Sequence, residues 1–349
     1  MWITTPIFKE DMDYILNSTC IDWDRLKDST VLITGGTGLI GSTIISSLVY
    51  ANVKKNYNIK ILALVRNLDK ANDQFREQFG CNAGLEFILG NIEEKVTLPT
   101  RIDYIIHCAS PTASAFFVNN PVETMKTAIL GTLNMLELAK ANQVSGMIYL
   151  SSMEAYGKIT TQELLREDQL GYIDLLNVRN SYPESKRICE AMCCAYSVEY
   201  NIPAYSIRLA QTFGPGVAYD DKRVFAMMAR NAMNTEDIIL QTKGSSRHSY
   251  LYTAQAVTAI LTILLRGNPG EIYNAANPET YCSIYEMGEM VAQELANRKI
   301  QIKVAENGDV SKYPDVSYLN LDISKLKALG WYPEHSLAWI YKRMMETMR

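Results

Sequence analysis

Short apolar runs, many of them rich in valine and isoleucine, alternate with longer stretches of helical periodicity along the first two thirds of the chain. The runs are STVLITGG, IKILALV, LEFILGN, RIDYIIHCAS, GMIYLSS and AYSIRLA. Helical patterns begin at Gly41, near 121–142 and near 181–200. Apolar strands separated by helices predict βαβ crossovers and a mainly parallel sheet that is covered on both faces. We therefore predict an α/β fold built on a doubly wound parallel sheet.

The pattern changes after TFGPGV at 212–217, where loops become longer. Helical periodicity returns at about 223–234 and 283–298, and a last amphipathic stretch follows LGWYPEHSL. We expect a smaller C-terminal α/β lobe over the carboxyl edge of the sheet, where open α/β sheets bind ligands. The first 29 residues contain MDYILN and IDWDRLKD, which predict a helical extension packed on the sheet domain.

Composition and charge exclude several classes of partner. The 349 residues include 34 basic and 38 acidic side chains without a basic run. This balance predicts no nucleic-acid or membrane partner, and a small molecule is the expected ligand. No apolar run reaches membrane-spanning length, and the N-terminus carries acids where a signal peptide carries bases. Seven scattered cysteines and three histidines show no metal-ligand spacing, so we expect reduced thiols, a cytoplasmic location and no metal site.

A glycine-rich turn follows the first predicted strand. VLITGGTGLIGS places Gly35, Gly38 and Gly41 between a strand and a helix, with Leu39 and Ile40 inside the turn. Residues without a Cβ let the backbone turn tightly and approach a pyrophosphate, while N–H groups of the helix start point at it. With a strand before it and further βα units after it, this turn predicts a Rossmann-like dinucleotide site.

The end of the second predicted strand bears on which dinucleotide binds. ALVRN lacks the acid that would bind the ribose 2′-hydroxyl of NAD, and Arg66 stands there instead. A guanidinium forms charge-assisted hydrogen bonds with a 2′-phosphate, which favours NADP slightly over NAD. The alternative is that Arg66 is a solvated loop residue. Asn91, after the third predicted strand, either accepts a hydrogen bond from the adenine amino group or caps a turn.

Candidate catalytic residues lie near the later strands. NSYPESKRICE places Tyr182 and Lys186 four residues apart, so they share one face of a helix. The ammonium is expected to lower the pKa of the phenol towards working pH, which makes a phenolate base, and to bond the nicotinamide ribose. Ser152, at the end of GMIYLSS, would hydrogen-bond the reacting hydroxyl. A surface Tyr–Lys pair is the alternative, and the upstream glycine turn favours the catalytic interpretation.

Together these residues resemble the extended short-chain dehydrogenases/reductases, and within them the enzymes that remodel nucleotide sugars. The resemblance covers nearly all of 30–340 and includes HCASP, KTAILGTLNMLELAK, YG, FGPG and LGWYP besides the motifs above. It implies that Ser152, Tyr182 and Lys186 form a catalytic triad and that Ala109 lies at the cofactor. It also implies that a nucleotide-diphosphate sugar is the substrate and contacts Ser110, Gln211, Arg223 and Arg247.

The stretch SSMEAYG bears on which reaction of this family takes place. The resemblance associates an acid at Glu154 with 4,6-dehydratases and UDP-glucuronate decarboxylases rather than with 4-epimerases. A ketone at C4 acidifies C5, where Glu154 would act as an acid or base, and a C5 carboxylate beside that ketone is lost as CO2. Met153 stands where many dehydratases carry an Asp that protonates the departing C6 hydroxyl, which favours decarboxylation. Dehydration and epimerisation stay open, and a loop salt bridge is the structural alternative for Glu154.

Domain division follows from the same patterns. We expect a helical extension over 1–29, a dinucleotide-binding domain over 30–213 and a substrate lobe mainly over 214–349, with 250–275 returning to the first domain. A non-catalytic NADP(H) sensor or scaffold is the alternative to an enzyme. The intact Ser152, Tyr182 and Lys186 argue against it, because a binder needs only the glycine turn.

A homodimer is the expected assembly. The resemblance implies a four-helix interface made by the helices near 121–142 and 181–200 of two chains. The apolar positions expected there are Leu130, Leu133, Leu136 and Met192. Packing within one chain explains the same periodicity equally well.

Overall fold

The computed structural model describes residues 5–76, 84–98, 100–111, 114–305 and 316–348. Its strands are β1 (Thr30–Thr34), β2 (Lys60–Val65), β3 (Leu85–Leu89), β4 (Tyr104–His107), β5 (Gly146–Ser152), β6 (Leu164–Leu165), β7 (Ala204–Leu209), β8 (Gln211–Phe213), β9 (Ile238–Leu240), β10 (Arg247–Tyr252), β11 (Ile272–Ala275), β12 (Asn277–Ser283), β13 (Ile302–Val304) and β14 (Tyr318–Leu321). Its α-helices are α1 (Pro6–Leu16), α2 (Leu39–Lys55), α3 (Leu68–Arg76), α4 (Ser114–Asn119), α5 (Pro121–Asn142), α6 (Ser181–Tyr200), α7 (Val224–Asn234), α8 (Thr253–Arg266), α9 (Ile284–Met290), α10 (Ser324–Lys327) and α11 (Leu337–Thr347). Across these ranges, no helix has the length and apolar character needed to cross a membrane.

Seven of the described strands form one parallel sheet in the order β11-β7-β5-β4-β1-β2-β3. The β1–β2 pair keeps an unbroken register from Thr30 opposite Lys60 to Thr34 opposite Leu64. Later strands are added on the other side of β1, beginning with β4, so the direction of winding reverses between β1 and β4. Open sheets bind ligands at such a reversal. The predicted doubly wound α/β fold is confirmed.

Helices cover both faces of this sheet. Along β1, Val31 and Ile33 belong to one core with α2 and α8, while Leu32 belongs to a second core with α5 and α6. This alternation follows from the two-residue period of a strand, because successive side chains point to opposite faces. Both faces are therefore apolar, which is why the strand sequences are nearly continuous hydrophobic runs.

The helices predicted from periodicity have closely similar bounds in the structure. Those expected near 121–142 and 181–200 are α5 and α6. The helix expected from Gly41 begins at Leu39, because Gly38 takes the N-cap position. The helix expected over 283–298 is α-helical only to Met290 and continues as a π-turn over Val291–Leu295.

The N-terminal helix α1 is tied to the end of the chain. The Asp11 carboxylate is buried and accepts hydrogen bonds from Tyr252 Oη at 2.8 Å and from Arg343 Nη2 at 2.9 Å. Burial raises the pKa of Asp11 to about 6, and the contacts with Tyr252 and Arg343 oppose that shift. Helix α1 also packs on α2 and α8. The first helix, β10 and the last helix α11 are thereby joined.

A second sheet carries the C-terminal lobe. Strand β10 pairs antiparallel with β12 and parallel with β8 and β14. The chain leaves the main sheet after β7 and enters this lobe through β8. It then returns, because α8 packs on β5 and β7, and β11 pairs with β7. The boundaries at 30–213 and 214–349 stay a prediction.

Candidate active site

A cavity of about 640 Å³ lies at the carboxyl edge of the main sheet. Residues that end or directly follow β1, β2, β3, β4, β5 and β7 line it. The structure brings fifteen predicted site residues to this cavity, namely Gly35, Gly38, Leu39, Ile40, Gly41, Arg66, Asn91, Ala109, Ser110, Ser152, Glu154, Tyr182, Lys186, Gln211 and Arg223. They meet although they are distant in sequence, because the carboxyl ends of parallel strands share one edge.

The glycine turn brings backbone against backbone at one end of the cavity. Gly35 has a φ of +68°, and a Cβ there would lie 2.8 Å from the amide nitrogen of Ala109. A Cβ on Gly41 would lie 2.3 Å from the carbonyl oxygen of Gly35. The amide of Gly38 donates to that same oxygen at 3.0 Å and precedes helix α2. This tight turn at a helix N-terminus fits the pyrophosphate of a dinucleotide.

Two basic side chains, Arg66 and Lys70, line the cavity near the end of β2. Both are exposed, and the Lys70 amide is held by the Asn67 side chain at 2.9 Å. Lys70 is missing from the sequence prediction, although its spacing of four from Arg66 was a usable signal. The Asn91 side-chain oxygen accepts from the Glu93 amide at 3.2 Å. Asn91 therefore caps a turn while it lines the cavity.

Ser152, Tyr182 and Lys186 come together from β5 and α6. Tyr182 lies in the first turn of α6, and Lys186 follows one turn later. Ser152 lowers the pKa of Tyr182, and the Ser152 hydroxyl accepts a hydrogen bond from the Glu154 amide at 3.2 Å. Lys186 Nζ donates to the carbonyl of Leu150 at 2.7 Å and lies 5.4 Å from the centre of the Tyr182 ring. The arrangement offers a proton acceptor, a hydroxyl and a buried cation at one point.

The electrostatic environment of Tyr182 differs from the sequence prediction. Burial raises the pKa of Tyr182, and the Glu154 carboxylate raises it further. The groups that lower it are the Ser152 hydrogen bond and the charges of Arg179 and Arg223. Burial also lowers the pKa of Lys186 to about 8. The predicted low pKa of Tyr182 is not found in this structure, because removal of the phenol from water has the largest effect on it.

A buried ion pair fixes β5 relative to α6 and β7. Arg208 donates to the Glu190 carboxylate from Nε at 2.9 Å and from Nη2 at 2.8 Å. Ser151 Oγ donates to the same carboxylate at 2.5 Å. Of the serine pair that ends β5, Ser151 thus serves this network and Ser152 interacts with Tyr182. A bidentate pair resists rotation, so it fixes α6 against β7, and Ser151 ties β5 to the same carboxylate.

Glu154 lines the cavity and also forms an ion pair. It lies in the 3₁₀ turn Met153–Tyr156, and Arg179 Nη1 is 3.1 Å from its Oε2. Arg179 belongs to the 3₁₀ turn Val178–Asn180, directly before α6. Glu154 therefore forms the salt bridge that was the structural alternative, and it also lies in the cavity where a reacting group was expected. Arg179 is missing from the sequence prediction, because an arginine three residues before Tyr182 belongs to none of the motifs considered.

Phe117 of α4 covers one face of the Tyr182 ring. The two ring centroids are 4.1 Å apart and the rings are within 7° of parallel. Phe117 is buried, and both it and Phe116 line the cavity. The stack keeps water from the phenol and contributes to the burial that raises its pKa. The sequence prediction omitted this residue, since an apolar pair on a short helix suggests core packing.

The candidate substrate-binding residues differ in their placement. Ser110 follows β4, and Gln211 begins β8. Arg223 precedes α7, and its guanidinium donates to Asp221 at 2.6, 3.0 and 3.1 Å. These three predicted residues share the cavity with Ser152, Tyr182 and Lys186.

Arg247 lies elsewhere in the C-terminal lobe. Its Nη1 donates to Glu286 at 2.9 Å, and its guanidinium carbon lies 5.2 Å from the centre of the Tyr281 ring. It is not among the described residues that line the cavity. The predicted contact between Arg247 and a diphosphate therefore stays a prediction.

Known proteins match the chain over most of its length. A family model described as the NAD dependent epimerase/dehydratase family matches residues 31–276. UDP-glucuronic acid decarboxylase 5 of Arabidopsis thaliana is 31% identical over 323 residues, which cover 91% of this chain and 89% of the relative.

Solved structures share the fold at lower identity. An epimerase from Methanothermobacter thermautotrophicus has a TM-score of 0.77 at 21% identity, covering 98% of this chain and 96% of its own. A dTDP-glucose 4,6-dehydratase from Streptomyces venezuelae, solved with NAD bound, has a TM-score of 0.73 at 20% identity, covering 91% and 96%. At these identities the likeness shows the fold.

Proposed function

The chain belongs to the NAD-dependent epimerase/dehydratase family, and from this premise we propose that it decarboxylates a nucleotide-linked hexuronate after oxidising the sugar at C4. The observation that carries the proposal is Glu154, which lines the same cavity as Ser152, Tyr182 and Lys186. The decarboxylase name of the Arabidopsis relative supports it. UDP-glucuronate is the substrate that this relative suggests.

Oxidation at C4 depends on the residues that β5 and α6 bring together. NAD or NADP, which the glycine turn from Gly35 to Gly41 would hold, would supply the hydride transfer chemistry of this step. Tyr182 Oη accepts the proton of the C4 hydroxyl, and Ser152 Oγ hydrogen-bonds the same oxygen. Lys186, buried beside the Tyr182 ring, stabilises the negative charge of the phenolate. Phe117 excludes water from one face of the phenol.

Loss of CO2 follows from the position of the ketone. The C5 carboxylate lies β to the C4 carbonyl, so the electrons of the broken C–C bond move onto the C4 oxygen. Hydrogen bonds from Ser152 and Tyr182 stabilise that charge. A proton then passes from solvent through the Glu154 carboxyl group to C5, since the Glu154 side chain is 29% exposed. Reduction at C4, with return of the Tyr182 proton, completes the cycle.

Other reactions of the family fit the described site less well. A dehydratase needs an acid for the departing C6 hydroxyl, and the position before Glu154 is Met153, a buried thioether. An epimerase at C4 needs no acid or base at C5, which would leave Glu154 without a chemical role. The combination of Ser152, Tyr182 and Lys186 disfavours a non-catalytic sensor.

A substrate panel tests the proposal. The purified protein is incubated with NAD or NADP and with UDP-, GDP-, CDP- and dTDP-linked hexoses and hexuronates, and each product mass is determined. Loss of CO2 from a hexuronate is the expected result. Loss of water would support a dehydratase instead, an isomer of unchanged mass would support an epimerase, and no turnover with any donor would contradict an enzyme of this kind.

We propose that NADP is preferred to NAD, on the basis of Arg66 and Lys70. Arg66→Ala should weaken NADP binding by about 1.5–3 kcal/mol, because it removes a charge-assisted contact, and should leave NAD nearly unchanged. Calorimetric titration of both dinucleotides measures this difference. Arg101→Ala is the matched control, since Arg101 is an exposed arginine just before β4, away from the carboxyl edge. An equal loss of affinity for NAD and NADP would show that Arg66 does not contact the 2′-phosphate.

We also propose a homodimer through α5 and α6. Leu130 is 40% exposed and Leu133 is 37% exposed on α5. Leu136, which was expected at this interface, is fully buried within the chain, so that prediction is wrong. Light scattering should give the mass of a dimer at micromolar concentration, and Leu133→Asp should shift it towards the monomer, because a charge there cannot be buried. A monomer mass for the wild type would contradict the proposal.

A reducing, cytoplasmic compartment is proposed from the thiols. The six cysteines within the described ranges are free, and Cys189 and Cys193 of α6 are buried in the second core. Buried free thiols behave as small apolar side chains. Cys81 lies outside the described residues.

A further inference from the structure

Glu154 needs a group that holds its carboxylate in place. Its backbone is fixed, because its amide donates to Ser152 Oγ at 3.2 Å. Its side chain is 29% exposed, and the ion pair that the structure gives it is the one with Arg179 at 3.1 Å. Arg179 itself is well placed to hold a partner, since its side chain is only 15% exposed and its amide donates to the Asn177 side chain at 3.1 Å. The carboxylate position therefore depends on the guanidinium.

Other cations at the reacting end have different partners. Arg223 is held by three contacts with Asp221, a carboxylate two residues away. Lys186 donates to the carbonyl of Leu150 and lies under the Tyr182 ring. Within the described part of the chain, Arg179 is thus the cation paired with Glu154.

A hexuronate substrate makes the positive charge of Arg179 more important. Such a substrate brings a second carboxylate to C5, next to the place where Glu154 acts. Two carboxylates at close range repel each other, and the repulsion is strong where water is excluded. The charge of Arg179 offsets one of them. A neutral hexose would bring no second charge, so it would depend on Arg179 less.

Building on the proposed function, we propose that Arg179 is a positioning residue that aims the Glu154 carboxylate at sugar C5 and balances its charge when a hexuronate binds. Arg179 acts through Glu154 and takes no proton itself. The reaction after C4 oxidation is the step that should depend on this role. Glu154 also raises the pKa of Tyr182 and Arg179 lowers it, which places both charges within reach of the reacting group.

The test is a double-mutant cycle of Arg179→Gln and Glu154→Gln, in which single-turnover rates are measured with UDP-glucuronate. Formation of the dihydronicotinamide absorbance reports C4 oxidation, and its decay with pentose product reports the later steps. Arg179→Gln should slow the later steps at least about tenfold, as loss of a hydrogen bond to a charged group does. Arg179→Lys should restore part of the rate. In the presence of Glu154→Gln, the Arg179→Gln change should slow the later steps no further, because the residue through which it acts is already altered.

Controls separate positioning from folding and from the proposed function. Arg166→Gln removes an exposed arginine that pairs with Asp168, and it should leave both phases unchanged. Melting temperature and cofactor binding show whether Arg179→Gln folds, and Arg179→Lys carries the test if it does not. The inference would be overturned if a folded Arg179 variant carried out the later steps at the wild-type rate. It would also be overturned if the rate losses of the two single variants multiplied in the double variant. In both cases the wild type would still release CO2. A wild type that releases no CO2 would instead refute the proposed function.

Discussion

Tyr182→Phe is expected to slow oxidation at C4 by at least ~100-fold, while the fold and cofactor binding stay intact. The change removes only the phenol oxygen, which is the proposed proton acceptor and the partner of Ser152. The ring remains, so its stack with Phe117 at 4.1 Å and the packing of the first turn of α6 are preserved. Loss of activity without loss of stability is therefore the expected pattern.

Stopped-flow absorbance of the dihydronicotinamide measures this step directly. Tyr57→Phe is a matched control, because Tyr57 stacks on Trp23 just before β2 and lies outside the cavity lining. Titration with the dinucleotide and a thermal melt show whether the variant binds and folds as the wild type does. A rate of C4 oxidation equal to that of the wild type would end the assignment of Tyr182 as the base.

Glu154→Gln is expected to leave C4 oxidation largely intact and to slow the later steps by at least about 100-fold, the value of a positioned acid or base. Glutamine keeps the size of the side chain and can still accept from Arg179, so the geometry at 3.1 Å is preserved while the proton donor is lost. Reduced cofactor and a 4-keto sugar should therefore accumulate. In the wild type neither should be detected after turnover.

Single-turnover absorbance together with product mass decides the role of Glu154. If Glu154 serves only a salt bridge, the change should cost no more than about 1 kcal/mol of stability and should spare the product. Glu163→Gln is the control, since Glu163 is an exposed acid in the loop that follows. Unchanged product formation by Glu154→Gln would also remove the preference for decarboxylation over epimerisation.

Local patterns are sufficient to predict the central fold. The apolar runs that became β1, β2, β4, β5 and β7 are continuous because helices cover both of their faces. The glycine turn was recognisable because the shape it takes requires residues without a Cβ. The motif residues from Gly35 to Arg223 line one cavity because the carboxyl ends of parallel strands lie at one edge of the sheet. This rule of topology applies to any parallel sheet, so it can be used before the structure is known.

Effects that arise between elements could not be predicted in the same way. Arg179 is significant only because its turn packs its guanidinium against Glu154, and Phe117 only because α4 places it on Tyr182. The raised pKa of Tyr182 depends on how much water the fold removes, which no spacing of residues reports. Leu136 shares the periodicity of its exposed neighbours on α5, and only the position of the second core shows which of them is buried.

The return of the chain to the main sheet has a consequence for how the protein is made. Every residue from Thr253 to Leu265 in α8 is buried, and β11 adds the edge strand beside β7. When a ribosome has released the chain as far as Phe213, Ser152 and Tyr182 have been synthesised, but the helix that covers β5 and β7 has not. The nascent sheet must then wait with one apolar face open, a state in which chaperones bind and aggregation begins. The candidate catalytic residues are thus translated early but fixed in place late, and we expect that a break in the chain after Phe213 would not give two halves that fold alone.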